Sequence, residues 1–354
     1  MQKWSFMKSV STWSWYALLL LAGACQGQRQ AADRTRFSPR QELVLLDSLA
    51  ATQAVIRDAE EGFFDRVGIL DMSIQMRRNY PDTTPWERVR TDYQRFLQAD
   101  VTSFSPTEKE QLRTTFRRAH ALCEALHPSI FPGELKLIKS KGQPYGPLTF
   151  YTRENCIVIP QGILGAGNEE GLLDVALHEI FHIYSRYHPK TRNALYALIG
   201  FEALPADQML YPQVLRKRIL LNPDGINCAY RIQLRGADTN PIQAIPLIVA
   251  NEDQFLPEKD NFFGYLAFNL YEVETPRNAP IKVRTDEAGF STLNLREHPD
   301  FFEQITDNTQ YIIHPDEIMA DNFMLLASGQ TGAGRSPTGQ DLLKAVERIL
   351  RQSQ

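Results

Sequence analysis

Five consecutive residues, His178-Glu179-Ile180-Phe181-His182, carry the side chains best suited to chemistry. Histidines four apart in a helix share a face, one turn apart, so two imidazole nitrogens can meet one metal ion. A glutamate directly after the first histidine then stands where a carboxylate can take a proton from a metal-activated water. The pattern predicts zinc-dependent hydrolysis, with peptide bonds the first class of substrate to consider.

The element carrying these residues must be a helix. Asn168 is a suitable N-cap, and Glu169 and Glu170 fall in the first turn, where the helix dipole favours anions. Leu172, Leu173, Val175, Ala176, Leu177, Ile180, Phe181, Ile183 and Tyr184 make it apolar on most sides, and Pro189 stops it. Two imidazoles and a carboxylate are costly to bury in so apolar a helix unless they are paired or bind metal.

Catalytic zinc takes three protein ligands and leaves a position for water. The residues after His182 do not complete H-x-x-G-x-x-H, because Ser185 stands where that pattern has glycine, although His188 falls at its last position. A glutamate is therefore expected as third ligand, and two compete. Glu202 lies a short way downstream, but Pro205 interrupts the helix such a ligand would sit on and Ala206 stands one turn further. Glu317 follows Pro315, which suits a first helical position, and Asp321 lies four residues later on the same face. One carboxylate can then bind metal while the other accepts the second ring N–H of a ligating histidine. Glu317 is the better candidate and Glu202 the alternative.

H-E-x-x-H followed by a later helix with E-x-x-x-D resembles the gluzincins, the glutamate zincins, over two short segments. The resemblance implies a Zn(2+) site made by His178, His182 and Glu317, Glu179 as general base, and Asp321 behind a ligating histidine. It also implies a zincin-like α+β fold, mostly helical, with a small mixed or antiparallel sheet preceding the active helix, and a peptide or protein substrate. In that family an antiparallel edge strand binds extended substrate, a role that residues 146–152 would take here. Tyr230, Tyr311 and His314 are candidates for stabilising an oxyanion.

Other elements can be read around the motif. Residues 41–59 have helical spacing of Leu43, Leu46, Leu49 and Ile56, and Ser105-Pro106-Thr107-Glu108 is a capping box opening a helix that Pro128 closes. Residues 135–138 predict a strand, and 148–152 with 156–159 a hairpin. Residues 190–221 read as helical, and Asn222-Pro223-Asp224-Gly225 as a turn. Strands follow at 229–234, 242–249 and 264–273, and 344–350 reads as a final helix.

Residues 1–25 resemble an export signal, with Lys3 and Lys8 before an apolar run too short to span a membrane well. The run ends in Leu-Ala-Gly-Ala-Cys25, which resembles a bacterial lipobox, so Cys25 would bear lipid and anchor the protein to a membrane of the cell envelope. Ordinary signal cleavage is the alternative. Residues 26–37 read as a polar tether and 38–354 as the zincin-like domain, with a helical part at 38–130, sheet and motif helix at 131–190, and a C-terminal part at 191–354 supplying the third ligand. The chain has 354 residues and a net charge of −4, which gives no footing for nucleic acid. Besides Cys25 only Cys123, Cys156 and Cys228 are present, with spacing unlike a zinc ribbon. Two other function classes fit the same residues: a membrane-tethered zinc-binding protein on an inactive scaffold, and a structural envelope lipoprotein.

Overall fold

Short runs of Leu, Val and Ile set the central strands of the first sheet. It comprises β1 (Asp33–Ser38), β2 (Gln41–Leu45), β3 (Val101–Thr102), β4 (Glu134–Ser140), β5 (Tyr151–Arg153) and β6 (Cys156–Pro160), in the order β1-β2-β4-β6-β5, with β3 pairing β4. The pairs β2/β4 and β4/β6 are parallel, and β5 is an antiparallel edge strand. This computed structural model describes residues 33–354, apart from 166–168, 225–228, 237–239, 260, 277–278, 333 and 353–354. The signal-like stretch with Lys3, Lys8 and Cys25 lies outside the described residues, as do Asn168 and Cys228.

The central strands are buried on both faces, with successive side chains entering different cores. Leu43, Leu45, Leu135, Leu137, Ile157 and Ile159 join one core with the motif helix (Glu169–Tyr187), the capped helix (Pro106–Leu126), the acidic helix (Pro315–Ala327) and the last helix (Pro337–Arg351). Val44, Ile138 and Val158 face a second core with residues from the helices at Ser48–Ala54, Phe63–Arg66, Ile69–Met76 and Trp86–Asp100. The capping box is present, Ser105 accepting from the Glu108 N–H while Glu108 accepts from that of Ser105.

A second sheet follows the motif helix: β7 (Phe201–Ala203), β8 (Met209–Leu210), β9 (Tyr230–Arg235), β10 (Pro241–Ala250), β11 (Leu266–Glu274) and β12 (Ile281–Val283), ordered β7-β9-β10-β11-β12-β8. It is antiparallel except where β12 meets β8. The fold is α+β, as expected, with eleven α-helices among the described residues, but the expectation of one small sheet is corrected to two six-stranded ones.

Local expectations fail for identifiable reasons. Residues 41–59 are a strand and then a short helix, Ser48–Ala54, and Leu49 is 73% exposed. A strand buried on both faces shows no alternation, so its leucines mimic helical spacing. Of the tether expected at 26–37, residues 26–32 lie outside the described residues, and 33–37 belong instead to β1, which begins at Asp33. Its charges are spent on partners: Asp33 takes two hydrogen bonds from Arg113, and Arg34 pairs with Glu42 across the strands. The helical reading of 190–221 holds only in part: one helix, Pro189–Ala197, ends before Gly200 turns with φ +81° into β7, and a second spans Gln213–Arg218. Cys123 and Cys156 are free and buried. Among the described residues no helix is long and apolar enough to cross a membrane.

Candidate metal centre

The motif helix lies within the core from Leu172 to Arg186, so its polar groups have fixed directions. The acidic helix packs against it, with the Phe181 and Phe323 rings 5.6 Å apart. Pro315 starts the acidic helix, and His314 caps it, its Nδ1 accepting from the Asp316 N–H at 3.0 Å. Asp316 and Glu317 therefore sit in the first turn, where the helix dipole supports carboxylate charge.

The two imidazoles converge. Glu317 Oε2 lies 3.1 Å from His178 Nε2 and 3.4 Å from His182 Nε2. The Nδ1 atoms turn away to carboxylates, that of His178 to Asp321 Oδ1 at 2.9 Å and that of His182 to Asp316 Oδ2 at 2.6 Å. A carboxylate at Nδ1 favours the proton there and leaves the Nε2 lone pair for a metal. These carboxylates are held in turn: Asp321 by the Thr309 hydroxyl, Asp316 by the Tyr196 hydroxyl, and Glu317 Oε1 by Asn222 Nδ2 at 2.6 Å.

The residues fit a metal ion. Tetrahedral bonds of about 2.0–2.1 Å put donor atoms roughly 3.3 Å apart, close to the separations of 3.1 and 3.4 Å found around Glu317. Ligand atoms of His178, Glu179 and His182, and of His182, Asp224 and Glu317, group within 4.8 Å of one another. His182 Nε2 and Glu179 Oε2 are buried with no hydrogen-bond partner. Carboxylates outnumber imidazoles here, and burying them together is costly without a cation. This buried His/Glu/Asp group can hold a metal ion.

The electrostatics divide the residues by role. Burial opposes protonation of His178, but Asp321 and Glu317 override it and raise its pKa to about 10. Burial also opposes protonation of His182, and Asp224, Glu317 and Asp316 raise it well above the ordinary value. Burial penalises the charge on Glu317 and Asp316, yet His182 and their other partners hold both carboxyls below the usual range, Glu317 far below. Glu179 moves the other way: burial, reinforced by Asp224, pushes it up to about 8. A carboxyl that changes protonation near neutrality suits proton transfer.

Of the residues expected from sequence, His178, Glu179, His182, Glu317 and Asp321 are brought together. Glu202 is not: it is exposed on β7 and paired with Arg231 at 2.9 Å. Tyr230 bonds Arg192 and Asn193, and His314 serves as the helix cap. Tyr311 stands closer, its ring stacked on His178 with centroids 6.2 Å apart. Sequence reasoning missed Asp316, whose position beside Glu317 in a helical first turn was a usable signal. It also missed Asn222, Asp224 and Arg186, which nothing local marks as partners of the site. No family model, curated protein or solved structure matches the chain.

Proposed function

We propose that the protein is a zinc-dependent hydrolase of the gluzincin type, acting on peptide bonds. The observation that carries this reading is the meeting of His178 Nε2, His182 Nε2 and Glu317 Oε2, with each ring turned by its own aspartate. Two imidazoles and one carboxylate suit zinc among the common divalent ions. The antiparallel edge strand β5, in the mixed sheet before the motif helix, also supports a zincin-like fold. On the signal-like first 25 residues we place the domain in the cell envelope, anchored through Cys25.

When bound, zinc supplies a Lewis acid that polarises a carbonyl and makes water nucleophilic near neutral pH. His178, His182 and Glu317 would hold it. Glu179, with a buried unpartnered oxygen beside the two ligand histidines, would take the proton of the attacking water as a carboxylate and return it to the leaving amine. Asp316 and Asp321 fix the ring orientations, so little reorganisation is needed on binding.

The test is Glu179→Gln in the purified full chain. Zinc should stay stoichiometric by elemental analysis while cleavage of a peptide library falls by about 10²–10⁴-fold. Full cleavage by the variant would remove Glu179 from the mechanism. A second reading, a zinc-binding protein without turnover, draws on one observation: Asp224 belongs to the same ligand group as His182 and Glu317. Zinc bound with no cleavage by wild type on any library would favour it.

A further inference from the structure

In the sequence Asp224 is part of a turn, yet its carboxylate enters the centre. Oδ2 lies 3.8 Å from His182 Nε2, and Asp224 groups with His182 and Glu317 as a possible metal ligand. Glu179, His182 and Arg186 are spaced i, i+3 and i+7 and so share one helix face. Residues 222–224 run along that face. The Asp224 carboxylate meets His182, its carbonyl oxygen accepts from Arg186 Nη2 at 2.5 Å, and Asn222 donates to Glu317.

The same residues cover β5. Asp224 Oδ1 accepts from the Thr152 N–H and from the Thr152 hydroxyl, both at 2.8 Å. The Thr152 N–H is a donor of the edge strand, of the kind an extended peptide would pair with by strand addition. Arg186 also holds the Thr152 hydroxyl at 2.9 Å, and Arg153 donates to the Pro223 carbonyl at 3.2 Å. Asn222 and Asp224 are buried, 1% and 5% exposed. One segment therefore takes both positions a substrate needs, the strand donor and the face toward the metal ligands. His178, Glu179, His182, Asp224 and Glu317 line none of the cavities of about 340, 610 and 1020 Å³, although Arg186 borders the first and Thr309 the second.

We propose that Asp224 is a fourth metal ligand and that residues 222–224 form a built-in plug, so that this conformation is latent and must release the segment to admit substrate. The proposal rests on the metal centre described above. It is chemically specific: a carboxylate closes the coordination sphere where a hydrolase keeps one position open.

The experiment loads the full chain with Co²⁺, whose visible bands report ligand number, and titrates acetohydroxamate, a bidentate zinc-site ligand. Wild-type bands should be unmoved by the hydroxamate. Asp224→Asn can keep an acceptor for Thr152 while presenting an amide toward the metal. Its bands should shift on titration, its zinc affinity should fall at least tenfold, and its cleavage of a peptide library should exceed that of wild type. Wild-type bands that shift as readily as those of the variant would overturn the plug while leaving the metal centre intact, and this arm needs no variant to fold. Unchanged zinc affinity in a folded Asp224→Asn would overturn the fourth ligand. If neither protein binds Co²⁺ or Zn²⁺ stoichiometrically, the metal reading falls and the plug falls with it.

Discussion

The two sides of the centre are built differently. On the His182 side everything is sealed: His182 and Asp316 are 0% exposed, Tyr196 holds Asp316 from behind, and Asp224 approaches from across the helix face. On the His178 side the cover is thinner. The His178 and Asp321 side chains keep 13% and 23% of their exposure, and the support comes from Thr309 and the Tyr311 ring. The sealed side supplies rigidity. On the sealed side a ligand enters only if the segment at 222–224, which closes it, is released.

Glu317 belongs to both sides, so its loss should have the largest effect. Glu317→Ala removes the oxygen facing both imidazoles and leaves Asn222 without its acceptor. Breaking a buried ionic group by deleting one partner costs about 3–5 kcal/mol. The expected outcome is loss of stoichiometric zinc, read by elemental analysis, with a matching drop in the denaturation midpoint. A variant that kept tight zinc would show that His178 and His182 find their third ligand elsewhere.

The asymmetry itself is tested by Asp316→Ala against Asp321→Ala. Partners behind metal ligands are worth roughly 10–100-fold in affinity. Asp316→Ala should fall at the upper end and lower stability, because it strands the buried Tyr196 hydroxyl and the His182 Nδ1 together. Asp321→Ala should fall at the lower end, since water can reach His178 Nδ1 in its place. Equal losses in zinc affinity would mean that the two sides are energetically alike despite their difference in burial.

What the sequence disclosed tracks how local each cause is. His178, Glu179 and His182 are legible because one helix sets their geometry, and Glu317 with Asp321 because a second helix does the same at i and i+4. Asp224 is not legible: it reaches the centre only because Arg186, Arg153 and Thr152 fasten its loop, contacts far apart in the chain. The sheets follow the same logic. β9, β10 and β11 announce themselves as strands, whereas Leu43, Val44 and Leu45 look helical until two cores are seen to claim alternate residues. β1 reads as a solvated tether because the partners of Asp33 and Arg34 sit on Arg113, Lys109 and Glu42.

The smallest effect is expected from the other glutamate once in contention. Glu202 sits on the edge strand β7 with its side chain 67% exposed, and it pairs with Arg231, itself 32% exposed. Surface pairs of this kind contribute about 0.2–1 kcal/mol, and salt screens them. Glu202→Ala should therefore leave zinc stoichiometry and cleavage unchanged and shift stability by no more than about 1 kcal/mol. Because β7 pairs with β9 through Glu202 and Arg231, the loss should shrink further at high salt, as measured by denaturation in low and high ionic strength. Zinc lost from Glu202→Ala and retained by Glu317→Ala would reverse the assignment of the third ligand, and with it the division of the centre into a sealed and a thinly covered side.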